Sequence, residues 1–131
     1  MSSEYLIEEV QRRRQVFKNL KKHLENIREI LSGLDRGAEI YLFGSVADNT
    51  SNLSSDIDVL VITDLEPAKV HLVLWKKGIR EPFEIHVQPP EKLKHYKERS
   101  SLVQINEKID VIKSSFRYFY LSFTRRVKIC Y

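Results

Sequence analysis

Two acids, Asp56 and Asp58, head a run that is otherwise apolar through Ile62, and such a segment leaves a chain few ways to fold. Asp56 to Ile62 reads as a strand, and helices alternate with strands along the chain, so it belongs in a small sheet covered by helices. Side chains alternate faces along a strand, so both carboxylates are expected on the same side. Two acids so placed make a ready clamp for a divalent cation.

The neighbouring segments supply the cover. Residues 4 to 31 carry Leu6, Val10, Phe17, Leu20, Leu24, Ile27 and Leu31 at spacings of three and four, interrupted at Arg13, which predicts one long helix with a stripe to bury. Ser32 and Gly33 end it, the glycine suited to a left-handed C-terminal cap. Arg12, Arg13 and Arg14 lie toward its start, where the helix dipole disfavours cations. An anionic partner is one reading of them, and a solvated face balanced by Glu8, Glu9 and Glu25 is the favoured one. Glu39 to Phe43 is a first strand that stops at Gly44, and residues 45 to 55 form a loop with at most a helical turn. Pro67 and Gly78 bracket a helix of about three turns, with a strand as the competing reading of Val70 to Trp75. Trp75 is assigned to the core. Pro82 to Gln88 is a third strand, closed by Pro89-Pro90. Residues 91 to 99, and then Leu102 to Ile112, read as helix, while Phe116 to Tyr131 is left unplaced. The fold class is α/β (α+β): a small sheet of three clear strands, covered by helices.

Length and composition narrow the function classes. The 131 residues amount to about one domain, residues 1–131, and 42% hydrophobic with 31% charged residues excludes a disordered chain. No apolar run approaches the roughly 20 residues that cross a bilayer, and the N-terminus lacks a signal-peptide centre, so a cytoplasmic protein without membrane partners is expected. Cys130 stands alone, and no Cys/His spacing suits zinc. The net charge is +4, but five of the 22 Lys and Arg and none of the 18 acids follow Asp110. Residues 113–131 are thus a basic aromatic tail. Such a tail can track nucleic acid, although a solvated or partner-facing surface is the favoured reading.

On the third strand Glu84 and His86 share one face, and Phe83, Ile85 and Val87 share the other as candidate core. Asp56, Asp58 and Glu84 converging from neighbouring strands would offer the hard oxygen ligands that Mg²⁺ prefers, with two ions about 3.5–4 Å apart. Gly44-Ser45 closes the first strand at a sharp turn, where the glycine lets backbone approach a ligand. A helical turn after it would aim free N–H groups and the Ser45 hydroxyl at a phosphate. A phosphate site beside a metal site suits a nucleoside triphosphate. Alone, a D-x-D is often a solvated strand end and a Gly-Ser usually just a turn; their order along the chain carries the inference. His86 is weighed as a phosphate contact or a support for Glu84 and left outside the catalytic set. His23, His71 and His95 fall in helices without partners at ligand spacing. Ser54 and Ser55 are expected to cap the turn before Asp56.

The stretches Ile40-Tyr41-Leu42-Phe43-Gly44-Ser45, Ser55-Asp56-Ile57-Asp58-Val59-Leu60-Val61 and Pro82-Phe83-Glu84-Ile85-His86-Val87 resemble the minimal nucleotidyltransferases of the DNA polymerase β-like superfamily. The resemblance covers residues 37–98, and its G-S-x10-D-x-D pattern is the most specific part. It implies a mixed sheet flanked by helices, Mg²⁺-dependent binding of a nucleotide, commonly ATP, and transfer of a nucleoside monophosphate to an acceptor. It further implies that Asp56 and Asp58 are paired metal ligands, Glu84 the third carboxylate, and Gly44 with Ser45 the phosphate-contacting pair. Two departures stand out: Val46-Ala47-Asp48-Asn49 replaces the basic residue and glycine that many members carry, and Glu84 replaces a frequent Asp.

A chain this short has no evident acceptor pocket, so a protein partner or a homo-oligomer formed through the N-terminal helix is expected to complete one. The family includes antitoxin subunits that act beside helical HEPN-domain toxins and modify them with nucleotides, which makes a protein one candidate acceptor. The rival from another class is a non-catalytic scaffold that keeps the fold and binds protein or nucleic acid. Three clustered acids argue against that rival, because an inert scaffold gains nothing from them.

Overall fold

The computed structural model describes residues 3–52 and 54–106. The N-terminal apolar stripe is carried by two helices, α1 (Ser3–Lys18) and α2 (Leu20–Leu34), where the periodicity predicts one. The break is confined to Asn19, at φ −107 and ψ 26. Its backbone amide still donates to Gln15 O at 3.0 Å, and its side-chain amide donates to the same carbonyl at 3.0 Å. Asn competes locally with its own helix in this way, and a hydrophobic stripe gives no sign of it. Burial begins in the last turn of α1 and continues through α2: Phe17, Leu20, Leu24, Ile27 and Leu31 are buried, whereas Leu6 is 54% exposed.

The second helix runs past Gly33, which lies within it and does not cap it. Asp35 ends it in extended backbone, with its N–H donating to Leu31 O at 2.9 Å. One Asp35 carboxylate oxygen accepts from Gly37 N–H at 2.9 Å, and the other accepts from the buried Thr63 hydroxyl at 2.6 Å. An aspartate that turns the chain onto its own backbone is a stronger stop than a glycine that merely permits one.

Strand β1 (Glu39–Phe43), the single turn α3 (Gly44–Ala47), β2 (Ile57–Ile62), α4 (Pro67–Lys76) and β3 (Phe83–Gln88) follow in the expected order. A 3-10 turn at Pro90–Lys92 leads into α5 (Leu93–Arg99). The expected helix from Leu102 does not form: Val103–Gln104 is a short strand, β4, that pairs Leu42 with Val103. Leu102 packs with Tyr41 on one face, while Val103 and Ile105 join the core on the other, a period of two that helix cannot serve. The part of that prediction beyond residue 106, like the 113–131 tail, lies outside the described residues.

The sheet therefore has four strands in the order β3-β2-β1-β4. β1 is antiparallel to both neighbours, and β2 and β3 are parallel, as the α4 crossover between them requires. Ile40, Leu42, Ile57, Val59, Val61 and Val87 face α1, α2 and α4 in the main core. The opposite face carries a smaller cluster, Tyr41, Leu60 and Ile62, roofed by Leu93, Tyr96 and Leu102. Trp75 is not core: it is 58% exposed on α4, with the Arg80 guanidinium 3.3 Å above its ring. No described helix is long and apolar enough to cross a membrane.

Candidate active site

The smaller cluster covers only part of its sheet face. At the uncovered end, register places three residues in one row: Phe43 on β1 pairs with Asp58 on β2, and Asp58 pairs with Glu84 on β3. His86 follows two residues along β3 on the same face. Its Nε2 lies 3.3 Å from Asp58 Oδ1 and 3.6 Å from Glu84 Oε1. One ligand atom from each of Asp58, Glu84 and His86 falls within 4.8 Å of the others. The Phe43 ring meets the imidazole edge-on at 5.0 Å between centroids, which fixes its plane beside the carboxylates.

Gly44 forms the floor of this group. It adopts φ 75, in the left-handed region, and a Cβ built on it would stand 3.2 Å from Asp58 Cγ and collide with Oδ2. Glycine is thus demanded twice, by backbone conformation and by the carboxylate that occupies its side-chain space. Ser45 follows, half-buried, and its carbonyl accepts the Thr50 N–H at 2.8 Å, which closes α3 into a compact turn.

Of the residues singled out from sequence, the structure brings together Asp58, Glu84 and Gly44, with Ser45 adjoining. Asp56 is exposed and precedes β2, which begins at Ile57, where the backbone N–H donates to Pro82 O at 2.8 Å. Asp56 is not a member of the close group. His86 is, and its only sequence signal was the two-residue spacing from Glu84. The turn before Asp56 is knit as expected: Asn52 Oδ1 accepts from the Ser54 N–H at 2.9 Å and its hydroxyl at 2.6 Å, and Ser55 Oγ accepts from the Asn52 N–H at 2.9 Å.

The arginines of α1 have a role that periodicity does not reveal. Arg13 donates to Ser55 O at 3.3 Å, and Arg12 donates to Glu81 O, so one helix holds the two chain segments that enter β2 and β3. Glu9 pairs with Arg12 at 2.7 Å and with Arg13 at 3.2 Å. The hydrogen bond from Arg12 holds the Glu9 carboxyl below its ordinary range, and the same bond raises Arg12. The favoured polar-face reading is right about Glu9 as counter-charge and incomplete about where the guanidinium groups reach.

Two carboxylates and an imidazole whose ligand atoms lie within 4.8 Å of one another are a donor set that a divalent cation fits, and the absent Cβ at Gly44 is what leaves room for the Asp58 carboxylate. A family model described as a nucleotidyltransferase domain matches residues 24–118. No curated protein and no solved structure matches the chain.

Proposed function

The chain belongs to the nucleotidyltransferase domain family, and from that premise we propose that it transfers a nucleoside monophosphate, AMP from ATP, to an acceptor hydroxyl. The observation that carries this reading is the row Asp58–Glu84 with Gly44 pressed against Asp58. Asp58 and Glu84, with His86 beside them and Asp56 at the strand entrance, would hold Mg²⁺, two ions in the full reading. Bound there, the metal supplies charge neutralisation for the triphosphate and its transition state.

The chain's own residues do the rest. Gly44 and Ser45 would receive the triphosphate, as the resemblance implies, the glycine leaving its backbone without a side chain in the way. The acceptor oxygen bonds to the α-phosphorus, the bond from that phosphorus to the α–β bridging oxygen breaks, and pyrophosphate leaves. Glu84, the most exposed of the three close residues, would take the hydroxyl proton on a carboxylate oxygen. His86 stands within 3.6 Å of both carboxylates and limits their rotation. A helical protein partner, of the HEPN kind that the resemblance implies, is compatible with α1, where Tyr5, Leu6 and Ile7 are 54%, 54% and 56% exposed.

Thermal unfolding with ATP and Mg²⁺ tests the reading without a known acceptor. Ligand at about 100 times its Kd should stabilise the native protein by roughly 2.7 kcal/mol. The stabilisation should need magnesium and disappear in Asp58→Asn, which preserves side-chain shape. Equal stabilisation of the variant would overturn the assignment.

A further inference from the structure

The row of acids divides its sheet face. Gly44 and Ser45 lie at one end, and at the other, four residues along β3 from Glu84, stands Gln88. Gln88 opens onto a cavity of about 480 Å³, whose remaining walls are Lys92, His95, Tyr96, Arg99 and Ser100. It is an open depression in which Lys92, His95 and Arg99 are exposed to solvent. Tyr96 belongs to both regions: its ring meets Phe43 edge-on at 5.5 Å, and Phe43 meets His86.

The lining is chemically one-sided. Among the described residues the lining supplies two permanent cations, an imidazole, an amide and two hydroxyl-bearing residues and no carboxylate, although Glu91 and Glu98 lie on the same short segment. Among the described residues Lys92 and Arg99 form no ion pair, so their charge is not spent within the fold. A phosphomonoester carries about −1.5 to −2 at pH 7 and three acceptor oxygens, which matches two cations and several neutral donors. A single carboxylate would leave a cation and most of those donors unmatched.

We propose that this cavity is a phosphate subsite for the acceptor, which would be a phosphomonoester bearing a free hydroxyl. The acceptor role rests on the nucleotidyl-transfer reading, because position assigns it: the donor triphosphate belongs with Gly44 and Ser45, and the cavity lies on the far side of the acids. Glu84 and Gln88 are roughly 13 Å apart at about 3.3 Å per residue. An acceptor with its phosphate among Lys92 and Arg99 and its hydroxyl beside Glu84 would have to span that distance past Tyr96, which is longer than a single sugar phosphate and within the reach of a phosphorylated chain end. The group transfer is the one already balanced above, with the acceptor oxygen displacing pyrophosphate and its phosphate left unchanged.

Calorimetric titration of the full chain tests this with glucose 6-phosphate and a 5′-phosphorylated trithymidylate, each beside its dephosphorylated form. At least one phosphorylated probe should bind and its dephosphorylated form should not. Tighter binding of the trinucleotide identifies the source as a nucleic-acid end, and tighter binding of the sugar phosphate identifies a free metabolite and overturns the acceptor role. Lys92→Gln with Arg99→Gln should weaken the phosphate probe by about tenfold per cation, while ATP–Mg²⁺ stabilisation stays at the native level. Asp58→Asn should do the reverse. Failure of both phosphorylated probes at millimolar concentration, or equal affinity in the double variant, overturns the subsite. Phosphate binding without any ATP–Mg²⁺ effect in the native protein overturns the transferase reading and the acceptor role with it.

Discussion

The two faces of the sheet are made by the same strands and obey different rules. On the helix-covered face Ile57, Val59 and Val61 each have no exposed surface, and they interdigitate with Leu24, Ile27 and Leu31 of α2. On the other face the alternate residues of the same strand, Asp58, Leu60 and Ile62, pass from a half-buried acid to a small apolar cluster within five residues. The contrast shows how a carboxylate is positioned. Asp58 is bonded along the chain to two residues whose burial is complete, so its backbone cannot shift without opening the core. The face without polar chemistry holds rigid the face that has it.

That division of labour predicts that the faces fail separately. Leu24→Ala removes a fully packed side chain from the helix-covered core and should cost about 2–5 kcal/mol in urea unfolding. At temperatures where the variant stays folded, its stabilisation by ATP and Mg²⁺ should equal that of the native protein. A drop in nucleotide affinity in the folded variant would mean that the two faces are coupled more tightly than their packing implies.

A sharper cut compares two glycines. Gly44 and Gly78 both adopt the left-handed region, at φ 75 and φ 88, but a Cβ at Gly78 meets nothing within 4 Å while one at Gly44 meets Asp58. Each change to alanine should cost about 1–2 kcal/mol from backbone strain alone. Only Gly44→Ala should also abolish the magnesium-dependent effect of ATP, because only there does the methyl occupy the carboxylate's place. Loss of nucleotide stabilisation in Gly78→Ala would trace the effect to global loosening and not to the site.

What the residues disclose by themselves follows the range of the interactions concerned. β1 and β3 are legible because alternation and a terminating Gly or Pro-Pro are local, and α4 because Pro67 and Gly78 mark its ends. The kink at Asn19 depends on one side chain reaching back to Gln15 O, while the apolar stripe continues across it. The strand at Val103–Gln104 exists only because β1 offers it an edge, a contact more than sixty residues distant in the chain. Trp75 ends an apolar run of which α4 buries Val70 and Leu74 but not Trp75, and Arg80 covers its ring in place of a core. At the site, Asp58 and Glu84 are flagged by residue type and spacing. Their adjacency across β2 and β3, and the entry of His86 between them, follow from register, which a single strand cannot show.

The smallest expected effect lies on the helix-covered face, where a titratable group meets the sheet. His23 of α2 is half-buried with its ring 5.7 Å from that of Phe83, and Lys22, Glu25 and Glu29 border the same groove. Burial lowers its pKa below the ordinary 6.5, and Lys22 lowers it further. As pH falls through 6.5 the unfolded chain takes up a proton that the folded chain still refuses. Stability is therefore full above that value and is lost as pH drops toward the folded pKa. The slope must be well under the roughly 1.4 kcal/mol per pH unit that a whole proton would give, because the ring keeps partial contact with water. Comparing urea unfolding of the native protein with His23→Gln across pH 5 to 8 isolates this group from the carboxylates. The native protein should lose slightly more stability toward pH 5 than the variant. A native protein that instead gained on the variant as pH fell would mean that Glu25 and Glu29 outweigh burial, and that this edge of the core is wetter and more like the acidic face than its packing suggests.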